Sequence, residues 1–160
     1  MRELRNPTQK ETNDRHANNE SSMPNDENKR KHLEMIQGII NRMAGNLFYL
    51  RGWTITLVTG LFALSASQGA GKGYFWLAYF LLLIFWILDG YFLSQERLFR
   101  ELYDNVRQRS EDEIDFSMRT DKYKKSWKNR PYGAMFSATL LWFYVPLSVA
   151  MLVVIKVISP

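Results

Sequence analysis

Three windows of this chain carry no charged side chain at all: 52–71, 73–88 and 132–155. Charge-free apolar stretches of that length read as membrane spans rather than as core helices of a soluble domain. The mean hydropathy of −0.28 conceals them. It averages the windows with a very polar start, in which residues 1–31 hold only four apolar side chains, Met1, Leu4, Ala17 and Met23. Too few of the 160 residues lie outside the bilayer to bury a sizeable second core, which excludes a soluble enzyme of ordinary architecture. The chain has no cysteine, so disulfides, thiolate nucleophiles and cysteine metal sites are excluded as well.

Residues 1–31 cannot bury enough apolar surface to offset their ordering entropy, and the composition predicts a disordered tail. No apolar run follows the early charges, so the tail does not read as a signal peptide. Over 32–51 the pattern becomes helical. Ile36, Ile39, Ile40, Met43, Leu47 and Leu50 recur at steps of three and four, which predicts an amphipathic helix leading into the first span. The two-span hairpin is expected over 52–93. Its first apolar stretch, 52–67, reaches only about 24 Å, short of the ~30 Å hydrocarbon core. The span must therefore draw in residues 47–51, which brings Arg51 to the membrane edge. Gly52, Thr56 and Gly60, four apart, form a small-residue ridge that lets another helix approach closely.

The connection is SQGAGKG at 67–73. Gly71-Lys72 is followed by Gly73 and not by the Ser or Thr of a phosphate loop, and no strand precedes it, so no nucleotide site is expected. The second span carries Asp89. Around a turn centred on residue 70, Arg51 and Asp89 each lie 19 positions away, which places them at one depth in an antiparallel hairpin. A charge at that depth is costly unless paired, hydrated or snorkelling. An intramembrane ion pair Arg51–Asp89 answers this, either as a clamp on hairpin register or as a polar site lining a conduction path between subunits.

Residues 94–131 form a charged helix and linker. Leu98, Phe99, Leu102, Tyr103 and Val106 make one apolar face, expected to pack on 36–47 or on a second copy. Ile114, Phe116 and Met118 alternate as in a short strand. The acidic run Glu111, Asp112, Glu113 and Asp115 lacks the spacing and turn glycine of a calcium loop, and His16 and His32 lack triad partners. No metal, cofactor or catalytic residue is expected. Lys122, Tyr123, Lys124, Lys125, Trp127, Lys128 and Arg130 form a basic and aromatic stretch suited to the lipid interface. A third transmembrane helix is expected within 132–160, kinked at Pro146.

Nine Lys and Arg fall in 1–51, ten in 94–131, one in the turn and one at position 156. The positive-inside bias puts the N-terminus and 94–131 in the cytosol and the C-terminus outside. The fold class is thus an all-α membrane protein: three transmembrane helices, cytosolic amphipathic helices and a disordered N-terminal tail.

The amphipathic lead-in helix, the tight two-span hairpin and a charged helix opening with Gln95-Glu96-Arg97 together resemble the SLATT-type small membrane effectors, while the stretch HLEMIQGIINRMAGN at 32–46 resembles small bacterial membrane proteins of no known activity. The SLATT-type resemblance covers about 33–109, and the third span lies outside it. It implies a bacterial inner (cytoplasmic) membrane location, a role in anti-phage defence, and permeabilisation of that membrane. It carries over no catalytic residue. The expected partners are the lipid bilayer, further copies of the chain and a cytosolic protein, and no nucleic acid. The alternative is a non-catalytic accessory or scaffold subunit that tethers a cytosolic complex to the membrane.

Overall fold

A computed structural model describes residues 7–66 and 73–158, and within them the side chains of 27–65, 73–110 and 112–156. The architecture is all-helical, and no strand occurs among the described residues. α1 spans Pro7–Ala66, α2 spans Gly73–Gln108, α3 is the five-residue Pro131–Met135, and α4 is Ala138–Ile158. Short 3-10 turns at Glu111–Glu113, Asp121–Tyr123 and Trp127–Asn129 punctuate the stretch between α2 and α3. Segments of α1, α2 and α4 are each long and apolar enough to cross a membrane. The glycine-rich connection expected at 67–73 lies outside the described residues except for Gly73, which opens α2.

α1 and α2 run antiparallel. Lys29 Nζ donates to the Arg109 carbonyl at 2.9 Å, Arg51 meets Asp89, and the Phe62 and Phe75 rings lie 5.4 Å apart. In each pair, a step up α1 matches a step down α2. The shared seam supports two apolar clusters. One joins Leu47 and Val58 of α1, Ala78, Leu82 and Leu93 of α2, Ala134 of α3, and Leu140, Tyr144 and Met151 of α4. The other joins Ile36 and Ile40 of α1, Leu102 and Val106 of α2, and Ile114 of the following loop. Ile36, Ile40 and Leu47 are buried, with Ile39, Met43 and Leu50 half-buried, so the face expected from the periodicity is the face that packs.

Three expectations need correction. The tail expected to be disordered over 1–31 is helical from Pro7 onward. Once 27–51 is docked and helical, extending it toward the N-terminus needs no new nucleus, and the Glu27–Lys31 and Arg30–Glu34 pairs sit at helical spacing on it. The strand suggested by Ile114, Phe116 and Met118 does not form, because the loop has no second strand to pair with. Ile114 and Met118 instead pack on the second cluster, while Phe116 takes φ 50°. Finally, the third long apolar helix expected within 132–160 is present, but it begins only at Ala138, and the residues before it form a separate short helix. α3 ends at Met135, Leu140 and Leu141 both donate to the Ser137 carbonyl, and α4 starts at Ala138. α4 then continues through Pro146.

The break has a tertiary cause. A side chain at Gly133 would collide with the Trp127 carbonyl, and one at Gly90 would collide with Met135. Two glycines thus let α3 lie against α2 and the Trp127 turn. Trp86 Nε1 fixes the contact by donating to the Met135 carbonyl at 3.0 Å.

Candidate functional site

The polar centre of the apolar bundle is Asp89. Its side chain is fully buried, and three helices converge on it. Arg51 Nε of α1 donates to Asp89 Oδ2 at 3.0 Å, and Tyr144 Oη of α4 donates to the same oxygen at 3.2 Å. The Arg51 guanidinium carbon stands 5.7 Å from the centre of the Phe143 ring, within cation–π range. Beside the pair, Thr54 is wholly buried and turns its hydroxyl back to the Leu50 carbonyl at 2.8 Å, so it adds no donor to the carboxylate. Asp89 Oδ1 is enclosed and has no hydrogen-bond partner among the described residues.

This arrangement has a clear electrostatic logic. A carboxylate inside an apolar bundle is strongly disfavoured unless an opposite charge and donors meet it. Arg51 supplies the charge and Tyr144 a hydroxyl. Arg51 keeps 27% of its side chain exposed, so the pair joins a buried anion to a cation that reaches the bundle surface. Gly90, next in sequence, admits Met135 of α3 to the same level. Asp89 is therefore held between α1 and α4, with α3 packed against its neighbour Gly90.

The small-residue ridge lies elsewhere. Gly52 and Gly60 have nothing within 4 Å of where a side chain would begin, and Thr56 is exposed with its hydroxyl on the Gly52 carbonyl at 3.0 Å. α1 meets the bundle through Thr54, Val58 and Ser65, which are all buried. The ridge faces outward and takes no part in packing among the described residues.

The basic and aromatic stretch is pinned through its backbone. Ser94 Oγ donates to the Asn129 carbonyl at 2.5 Å, Arg97 Nη1 to the Lys128 carbonyl at 2.8 Å, and Asn129 Nδ2 to the Tyr123 carbonyl at 2.9 Å. That leaves Lys122, Lys124, Lys125, Trp127, Lys128 and Arg130 exposed. Lys124 pairs with Asp121 at 2.7 Å, and the Asp121 carboxyl is held below its ordinary range by that hydrogen bond first and by the Lys124 charge second. Tyr123 departs from the expectation of a lipid-interface residue. It packs against the second cluster with its hydroxyl enclosed.

The spacing of Arg51 and Asp89 marks their pairing in the sequence, whereas nothing in it marks Tyr144 and Phe143 as their neighbours. α4 offers no charged residue before Lys156, so no signal fixes which of its faces turns inward. Comparison with protein-family models, curated proteins and solved structures finds no match. Among the described residues, no group of three or more His, Asp and Glu is placed to hold a metal ion.

Proposed function

We propose that this chain is a membrane effector that oligomerises and permeabilises the bilayer when a cytosolic partner triggers it. The observation that carries the reading is the buried carboxylate at Asp89. An ionisable group buried inside a three-helix bundle is a functional feature by default in a membrane protein, and beyond its Arg51 and Tyr144 contacts its second oxygen has no protein partner among the described residues. The outward ridge of Gly52, Thr56 and Gly60 supports assembly, since small residues allow close helix approach. A single copy with three spans is too small to enclose an aqueous path, and several copies joined along such ridges are not. The resemblance to SLATT-type effectors supports an inner-membrane site in a bacterium and a defence role. The concentration of 19 of the 21 Lys and Arg in 1–51 and 94–131 supports a cytosolic N-terminus and an external C-terminus.

The test is membrane potential and propidium iodide entry in bacteria after induced expression. Wild type is expected to depolarise the cells, and an equally expressed Arg51→Leu, Asp89→Leu double variant is expected not to. An unchanged potential at high expression of wild type, together with recovery of a stable cytosolic complex on purification, would replace this reading with a membrane-tethering scaffold.

A further inference from the structure

A cleft of about 690 Å³ opens where α2 leaves the apolar bundle. Arg97, Arg100 and Glu101 form one wall, and Trp127, Lys128 and Ser137 stand on the others. Its depth is set by the chain itself. Leu93, one helical turn before Arg97, is the last α2 residue in the bundle cluster, and Ser137 directly precedes the apolar run of α4. The cleft therefore lies where the apolar helices end. In a bilayer that level is the headgroup zone, where exposed aromatic side chains settle. Trp127 and Phe136, both more than half exposed, flank it.

The donors suit a phosphodiester. Arg97 spends one nitrogen on the Lys128 carbonyl at 2.8 Å and keeps the rest of its donor fork. Arg100 is paired with Glu96 at 2.6 Å. Lys128 has no carboxylate partner among the described residues. With Glu96 and Glu101 counted, three cations face two carboxylates, a surplus of one positive charge. Ser137 Oγ is enclosed without a hydrogen-bond partner among the described residues. Its residue adjoins the first turn of the 21-residue α4, the positive end of that helix dipole.

We propose that this cleft binds the phosphate of an anionic phospholipid headgroup, with Arg97 and Lys128 as its main cationic contacts. The aromatic flank favours a lipid over a free anion, since a soluble phosphate has no acyl chains to lay beside Trp127 and Phe136. The Arg97 bond to the Lys128 carbonyl ties the two contacts together, so the headgroup would staple α2 to the segment that leads into α4.

The experiment is native mass spectrometry of the full chain in detergent with phosphatidylglycerol, with phosphatidylcholine, and with excess inorganic phosphate. Phosphatidylglycerol is expected to be retained about tenfold better than phosphatidylcholine. Arg97→Gln, Lys128→Gln should abolish the preference. Lys128→Gln alone, at an exposed site that leaves the packing intact, should reduce it several-fold. Lys125→Gln, a basic neighbour outside the cleft, should leave it unchanged. Equal retention of the two lipids, survival of the preference in the double variant, or an equal loss in Lys125→Gln overturns the proposal. Full displacement of phosphatidylglycerol by inorganic phosphate also overturns it, by assigning the cleft to a free anion.

Discussion

The two clusters along the α1–α2 seam are built by opposite rules. In the Ile36–Leu102 cluster, large apolar side chains face inward and the far faces carry Arg42, Glu101 and Arg107. In the Leu47–Tyr144 cluster, apolar residues lie inside and outside alike. Trp53, Trp76, Phe80, Leu83, Trp142, Leu152 and Val153 are all exposed, while the charge, Asp89, is in the middle. The same two helices obey both rules, and the change falls between Leu93 and Arg97 on α2 and around Leu47–Arg51 on α1. Burial therefore reports different things in the two halves. Outside the bilayer it measures the hydrophobic effect. Within the bilayer, lipid is as apolar as leucine, and packing and polar pairing hold the helices together.

The sharpest way to break this contrast is to remove one member of the polar centre. Arg51→Leu leaves Asp89 without its opposite charge and should destabilise the bundle by about 3 kcal/mol or more. Arg51→Leu, Asp89→Leu should recover much of that loss, so denaturant unfolding of the two variants in detergent reads the coupling. Next is Leu102→Ala in the outer cluster, where burial is nearly complete. It should cost about 3 kcal/mol, whereas the lipid-facing Leu152→Ala should change unfolding by less than about 0.5 kcal/mol. Gly133→Ala drives a methyl into the Trp127 carbonyl, which is backbone and cannot swing away. It should cost about 2 kcal/mol and loosen α3, seen as faster hydrogen exchange over 131–137.

A pH effect comes after these. His32 is buried against Phe116, with ring centres 5.5 Å apart. Burial lowers its pKa, and the charge of Asp115 opposes that in smaller part. The unfolded imidazole, near 6.5, takes up its proton before the folded one does. The stabilisation is thus complete above about pH 6.5 and declines as pH falls through that value toward the lower folded pKa. Thermal unfolding should show this decline in wild type and not in His32→Leu. The smallest effect is expected for Lys31→Gln, since the exposed Glu27–Lys31 pair at 2.7 Å is an i,i+4 surface contact. Its removal should shift thermal unfolding by barely a resolvable amount, and that shift should vanish in high salt.

Much of this contrast is legible in the sequence. The period of Ile36, Ile40 and Leu47 names the inward face, and equal spacing from residue 70 puts Arg51 opposite Asp89. Both are local or near-local facts. What is not legible depends on tertiary neighbours. Tyr144 sits in a helix of nearly uniform apolarity, so nothing marks the face that turns toward Asp89. The break at Phe136–Ser137 follows from Gly133 meeting the Trp127 carbonyl and Gly90 meeting Met135, contacts that composition does not encode. Phe116 at φ 50° breaks an alternation that otherwise reads as a strand.

One more consequence follows from α1 being a single uninterrupted helix. From Glu27 to Ser65 it runs 39 residues, about 58 Å of rigid shaft. Its outer half is gripped by α2 through Ile36 and Ile40, and its inner half is held through Arg51 and Val58 while Gly52, Thr56 and Gly60 face away from the other described residues. A shaft transmits torque. Advancing the grip by one residue turns the helix by about 100°, and the glycine face far below turns with it. A turn of α1 near His32 could thus re-aim the glycine face only by breaking the Arg51–Asp89 pair on the way, so that pair locks the direction in which the face points.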